Sequence, residues 1–204
     1  MATLANSVID RSVRTASAAL LETGAQTQVA SLQGVEALFF YRPDVAEHAR
    51  RRQAAATRLD RMAALETLLD LPVDAPVPLA TLDADQRRAV RALPAGCVDR
   101  DRTSVTRRAV RPVHVDLAVV RASGWRQGLH DAGRFAPFCR RAMLLTRRPA
   151  HLDEALTEAD FYGIGVFLAA GDGVEMVLEP APYRPLRHTA AAWCFMEELY
   201  QLLR

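Results

Sequence analysis

Asp116 stands in VHVDLAVVR, residues 113–121, an apolar run with the β-branched content of a buried strand. A carboxylate there has three uses. It can serve as a catalytic acid or metal ligand, it can accept structural hydrogen bonds, or it can be the remnant of a site that has lost its partners. An ionised carboxylate is costly to bury unless it is paired, so its partner decides among these. Arg107 and Arg108, expected on the adjoining strand, are the candidate partners. A structural ion pair is the expected role, with a residual catalytic or metal function for Asp116 as the alternative.

Arginine is the second feature with chemical content. All 26 basic residues are arginine and none is lysine. A lysine Schiff base and a lysine general base are therefore excluded, and every cation is a rigid fork of donors suited to phosphate and carboxylate. Arg100, Arg102, Arg107, Arg108 and Arg111 precede Asp116; Arg126, Arg140, Arg141, Arg147 and Arg148 follow it, with Arg121 and Arg134 between. Against these, residues 97–148 carry the acids Asp99, Asp101, Asp116 and Asp131. A patch of this density tracks phosphates and gives salt-dependent binding with little sequence preference. The competing reading is a solvated face balanced by Asp153, Glu154, Glu158 and Asp160. Arg50, Arg51 and Arg52 carry the same ambiguity, with a solvated helix face as the default. Net charge decides nothing here, since 26 basic residues face 24 acidic ones.

Other chemistries lack their residue patterns. His48, His114, His130, His151 and His188 show no metal-ligand spacing. Cys97, Cys139 and Cys194 form no CxxC pair and read as small buried hydrophobes. Ser123-Gly124 starts a helix and lacks the GxSxG frame of a nucleophile elbow. No phosphate-binding glycine loop, dinucleotide fingerprint or calcium loop occurs. Trp125 and Trp193 fall on apolar stripes and read as core.

The elements that must position these residues follow from periodicity and breakers. Residues 3–70 read as helical: a first helix with Leu4, Ile9, Val13, Ala16 and Leu20 on one face and Gly24 at its end, a second segment over residues 27–40, and a third opened by Pro43-Asp44. DLPVDAPVPLA, residues 70–80, reads as a linker, because Pro72, Pro76 and Pro78 forbid helix. The chain is thus expected to divide into a helical region, residues 1–75, and an α/β domain, residues 76–204. Beyond the linker a short helix is expected through Leu93. GCVDRD, TSVTRRAV and VHVDLAVVR should then form an antiparallel meander. A helix from Ser123-Gly124 follows, with a strand in RRAMLLTR and a short helix in HLDEALTEAD. A hairpin is expected around Gly171-Asp172-Gly173, and a closing helix over residues 187–203.

VHVDLAVV, the helix GWRQGLHDAGRFAPF and the strand RRAMLLT resemble the PD-(D/E)XK, or restriction-endonuclease-like, superfamily, and YGIGVFLAAGDGVEMVLEP resembles its terminal hairpin. The resemblance covers residues 82–180. It implies a mixed sheet flanked by helices, an acid on the second meander strand, and an acid followed two residues later by lysine on the third. Carried over, the third-strand acid falls on Asp116 and the lysine on Ala118, while TSVTRRAV offers no carboxylate. A lone acid is a poor Mg²⁺ site. The resemblance therefore implies the fold of a degenerate member without the reaction, unless Asp99 or Asp101 joins Asp116 and restores a Mg²⁺-dependent nuclease.

The expected function is non-catalytic nucleic-acid binding, in regulation, repair or defence, with no cofactor. A rearranged nuclease is one alternative. Another is a scaffold without nucleic acid, in which the apolar stripes of residues 3–70 and 187–203 pair with a second copy or a partner protein. A winged-helix reading of residues 59–110 also leads to DNA, with GCVDRDRTSVTRRAV as wing and residues 83–93 in the major groove. The amphipathic N-terminus lacks a signal-peptide core, and the longest apolar run, IGVFLAA, is far short of the ~20 residues that span a bilayer. A soluble, cytoplasmic protein with no membrane contact is expected.

Overall fold

The computed structural model describes residues 2–56, 58–171 and 173–203, and shows a mixed α/β protein divided into two units. Unit 1 is Met1–Arg42 with Val115–Pro185, and unit 2 is Pro43–His114 with Leu186–Arg204. The expected division near residue 75 is thus replaced by an insertion. Unit 2 interrupts unit 1 in sequence and is closed by the C-terminal helix.

Unit 1 opens with α1 (Ala2–Ala16) and continues into β1 (Gln26–Leu32) and β2 (Val35–Pro43). These strands pair antiparallel, from Gln26 opposite Tyr41 to Leu32 opposite Val35. This overturns the helix expected over residues 27–40. The reason is local. Gln33 and Gly34 both adopt positive φ, 54° and 72°, as a two-residue hairpin turn requires, and the segment is rich in β-branched and aromatic residues.

After the insertion come β6 (Val113–Ala122), α5 (Trp125–Gly133), β7 (Arg140–Leu145), α6 (Leu152–Phe161), β8 (Gly165–Ala170) and β9 (Gly173–Leu178). The six strands lie in the order β1-β2-β6-β7-β8-β9. β7 is parallel to β6 and to β8, and β9 returns antiparallel. The crossover helices, the last strands and the closing hairpin match the sequence expectation, although Asp172 of its turn lies outside the described residues. On one face of the sheet Val13 packs with Phe40, Leu117, Val119, Leu144 and Phe167. On the other, Phe39 meets Phe135 edge to face with ring centroids 5.4 Å apart. α5 lies close on β7: a Cβ at Gly128 would stand 2.7 Å from Met143 Sδ.

Unit 2 contains α2 (Val45–Gln53), α3 (Met62–Leu69), β3 (Pro76–Pro78), α4 (Ala84–Arg91), β4 (Val98–Arg100), β5 (Ser104–Arg107) and α7 (Ala190–Leu202). Its three strands form a separate sheet in the order β3-β5-β4. Two expectations are corrected here. The proline stretch is an edge strand rather than a free linker, which fits proline's missing N–H. The expected meander also splits: β5 pairs with β3 and β4 in the small sheet, whereas β6 lies between β2 and β7. One core gathers Leu59, Leu65, Leu68, Leu93 and Trp193, and a smaller one Leu71, Val90 and Val105.

Charge also enters this interior. Arg51 is 3% exposed and donates to Glu197 through Nη1 at 2.8 Å and Nη2 at 2.6 Å, and to Glu47 through Nε at 2.6 Å. Arg50 donates twice more to Glu47 and once to the Gly96 carbonyl. Trp193 Nε1 donates to Glu197 at 3.1 Å. Burial works against the Arg51 charge, but Glu197 and Glu47 outweigh it and hold the guanidinium more firmly protonated than usual. The Arg50–Arg52 triplet is therefore no uniform solvated face.

Candidate functional site

Asp116 finds its cation in unit 1. Arg42, on the neighbouring strand β2, donates Nη2 to Oδ1 at 2.9 Å and Nε to Oδ1 and Oδ2 at 3.1 and 3.2 Å. The Glu22 N–H adds a bond to Oδ2 at 3.3 Å. The carboxylate is 6% exposed and both its oxygens are engaged. The hydrogen bond to Asp116 is the main reason the Arg42 pKa is raised. The expected partners Arg107 and Arg108 belong to unit 2. Ala118, at the lysine position of the resemblance, is fully buried. These residues do not fit a Mg²⁺ ion at Asp116, because Arg42 already neutralises the carboxylate.

Asp99 and Asp101 do not complete that site either. Asp99 accepts from Arg108 Nε at 2.7 Å. Asp101 holds the β4–β5 turn: Oδ1 accepts from the N–H groups of Thr103 and Ser104, both at 2.7 Å, and from Thr103 Oγ1 at 3.0 Å, while Oδ2 accepts from Ser104 Oγ at 2.7 Å. The Ser104 hydroxyl bond, followed by the other three, holds Asp101 well below the usual carboxylate range.

The ten arginines expected to form one phosphate-tracking face are divided between the units, and most are engaged. In unit 1, Arg126 covers the Trp125 ring at 4.3 Å and pairs with Glu154 at 2.9 Å. Arg140 donates to the Leu20 carbonyl and Arg141 to that of Tyr162. In unit 2, Arg100 donates to the Val90 carbonyl, and Arg108 bridges Asp74 and Asp99. Arg107 is buried, and Arg111 stands 3.4 Å from His188. Arg102, Arg147 and Arg148 are exposed and contact no acid among the described residues.

Unit 2 also brings together a set that the arginine count overlooked. α3, β3, α4 and the β4–β5 hairpin follow one another along residues 62–107. Asp83 caps α4 in a reciprocal capping box with Gln86. Val90 faces inward against Leu71 and Val105, and so turns Arg88 and Arg91 outward. Arg88 pairs with Asp85, and both partners are at least 80% exposed. Arg102 stands at the hairpin tip, in the turn that Asp101 holds. The spacing of Val90, Arg88 and Arg91 on one helix was the available signal.

A small cavity in unit 1, about 60 Å³, is lined by Asp10, Glu36 and Arg121 among apolar residues. Burial raises the Asp10 pKa, and the Arg121 charge partly offsets this. Glu36 lies on β2 and was missed because residues 27–40 read as helix.

The apolar stripes expected to pair with another chain are used within each unit. Ile9, Val13 and Ala16 of α1 pack in unit 1, while Trp193, Met196 and Tyr200 of α7 are buried in unit 2. Trp125 and Trp193 are core residues, as expected. Among the described residues no helix is long and apolar enough to cross a membrane. Comparison with protein-family models, curated proteins and solved structures finds no match.

Proposed function

We propose that the protein binds duplex DNA without cutting it, with unit 2 as the reader and a degenerate nuclease-like unit 1 as its framework. The supporting observation is the exposed basic face of α4 beside the Asp101-held hairpin. Arg88 and Arg91 of α4 enter the major groove, and Arg102 meets the backbone. Regulation, repair and defence all accommodate such a reader.

A labelled-duplex titration at low and high salt tests this reading. Each phosphate contacted adds about −0.9 to the slope of log Kobs against log salt, so the three arginines set a limit of about −2.7. The Arg88→Ala/Arg91→Ala double variant should lose most of the affinity, and an Arg147→Ala/Arg148→Ala variant much less. No binding at low salt would overturn the proposal.

The cavity at Asp10, Glu36 and Arg121 favours a second reading, a metal-dependent nuclease whose acids are these two rather than Asp116. Incubation of DNA with Mg²⁺ or Mn²⁺, beside Glu36→Gln, tests it. Cleavage lost in the variant supports nuclease activity, and equal or absent cleavage in both proteins rejects it.

A further inference from the structure

A sheet edge presents a row of unpaired N–H and C=O groups, and folded chains blunt such edges with charge, proline, bulges or short length. Four strands lie at sheet edges among the described residues, and three of them carry such a device. β9 holds Glu175 and a register irregularity at Val166 and Phe167. β3 holds Pro76 and Pro78, and β4 has three residues, two of them Asp99 and Arg100. β1, at the other end of the six-stranded sheet, has none. Its seven residues, Gln26–Leu32, include no charge, proline or glycine, and they pair with β2 in unbroken register.

The hairpin fixes which groups of β1 face outward. In a two-residue turn the flanking residues, here Leu32 and Val35, exchange both hydrogen bonds, and such pairs alternate along an antiparallel ladder. Gln26, Gln28, Ala30 and Leu32 therefore bond to β2, while Thr27, Val29 and Ser31 turn their N–H and C=O groups to the edge. The Gln28 side chain fits this phase, since its Nε2 donates to the Val29 carbonyl at 3.0 Å. Beyond the β1–β2 ladder, no backbone group among the described residues bonds to Thr27, Val29 or Ser31. At the two ends the chain covers its own carbonyls: Arg14 donates to Ala25 O at 2.7 Å and Arg134 to Gln33 O at 2.8 Å. Between them Thr27, Val29 and Ser31 are exposed, Val29 by 43%.

We propose that β1 is a dimerisation strand, which pairs antiparallel with β1 of a second copy about a two-fold axis at Val29. Symmetry identifies the occupant. The open groups of Thr27, Val29 and Ser31 are disposed evenly about Val29, so the edge is complementary to itself. Val29 meets Val29, and Thr27 meets Ser31 of the second copy on either side of the axis, each pair exchanging both hydrogen bonds. The Val29 carbonyl has a second lone pair for this bond beside the one that the Gln28 amide uses. Leu38 lies opposite Val29 on β2, so the two copies of Leu38 and Val29 form one apolar row across the axis. No charged residue of β1 opposes the approach, and β-branched and hydroxyl cross-strand pairs favour it. The pairing joins the two six-stranded sheets and removes the unprotected edge of each. It rests on unit 1 alone and stands whatever unit 2 binds.

Sedimentation equilibrium of the whole protein from about 1 μM to about 1 mM tests the pairing. One strand pair falls at the small end of specific interfaces, below about 1,200 Å² in total, so a dimer with Kd of about 10–100 μM is expected. The Thr27, Val29 and Ser31 amides should gain protection from exchange as the concentration rises. Two double variants at exposed positions, checked for folding by circular dichroism, test the register. Thr27→Lys/Ser31→Lys sets lysine against lysine across the axis and should weaken the dimer about tenfold. Thr27→Glu/Ser31→Lys sets glutamate against lysine and should retain it. A monomer throughout, a dimer whose three amides stay unprotected, or equal association of the two variants overturns the proposal.

Discussion

Unit 1 and unit 2 use charge in opposite ways. The unit 1 core around Phe40, Leu117 and Phe167 is apolar, and in its Arg42–Asp116 pair the guanidinium remains open to solvent. In unit 2, Glu47, Arg51, Arg107 and Glu197 are all buried. Sheet size accounts for the difference. Six strands with helices on both faces can enclose a core of apolar side chains alone. Strands of three and four residues provide few apolar positions, so in unit 2 arginine forks join α2 to α7 and the α3 C-terminus to β5. Packing dominates one unit and paired charge the other.

The strongest way to break that comparison is Glu197→Ala. It leaves Arg51 buried with Glu47 alone and removes the acceptor of Trp193 Nε1. Removing one partner of a buried ion pair costs about 3–5 kcal/mol. Chemical denaturation followed by amide exchange should show that loss in α2 and α7, with the unit 1 strands retaining their protection. An Arg51→Met/Glu197→Leu double variant should recover part of the stability, because apolar replacement of a buried pair is often neutral, while Glu47 keeps its two bonds from Arg50 and Trp193 Nε1 still lacks its acceptor. Stability no higher than that of Glu197→Ala would show that the bonds of Glu47 and Trp193 to this pair, rather than the buried Arg51 charge, carry the loss.

The matching test in unit 1 is smaller. Arg42→Ala leaves Asp116, 6% exposed, with the Glu22 N–H as its remaining bond. Arg42 is 36% exposed, so water screens the pair, and the expected loss is about 1–2 kcal/mol by denaturation. A loss as large as that of Glu197→Ala would erase the contrast. Gly128→Ala probes packing instead. Its Cβ would meet Met143 Sδ at 2.7 Å and Ala122 Cβ at 3.1 Å. Overpacking of about 1–3 kcal/mol is partly offset by about 1 kcal/mol of helix propensity, so a net loss near 1 kcal/mol is expected.

These contacts explain what the sequence revealed and what it concealed. The run from β6 through α5, β7, α6 and the closing hairpin was legible because each element has a clear period and breakers. A short helix ending near Leu93 was legible, whereas the reciprocal bond from Gln86 to its cap Asp83 was read only from the structure. The β1–β2 hairpin was misread because LQGVEALFF also fits a helical stripe, and the Gln33-Gly34 turn carries less visible punctuation than Asn-Gly. The partners of Asp116 and Arg51 were beyond reach. Arg42 lies 74 residues from Asp116, and Glu197 lies 146 from Arg51. In an arginine-rich chain, residue type alone does not choose among so many cations. Counting arginines likewise suggested one basic face, whereas burial and carbonyl bonds engage most of that set.

Asp101 sharpens the comparison at its weakest point, since the β4–β5 turn is exposed and rests on a single carboxylate. Its folded-state pKa lies below the ordinary value of 3.8, chiefly through the Ser104 hydroxyl bond. The folded hairpin therefore binds the proton less well than the unfolded chain. The stabilisation is fully present above the ordinary carboxylate value and is lost as pH falls through the depressed one. The amide resonances of Thr103 and Ser104 should hold their positions down to about pH 4 and move only in stronger acid. A transition centred at or above the ordinary value would show that the four bonds do not hold in solution. Asp101→Ala should leave global stability nearly unchanged while loosening the tip that carries Arg102. If Arg102 meets DNA, the salt slope of binding should then fall by about 0.9, the loss of one phosphate contact. An unchanged slope would remove the hairpin from the interface and leave α4 as the sole reader.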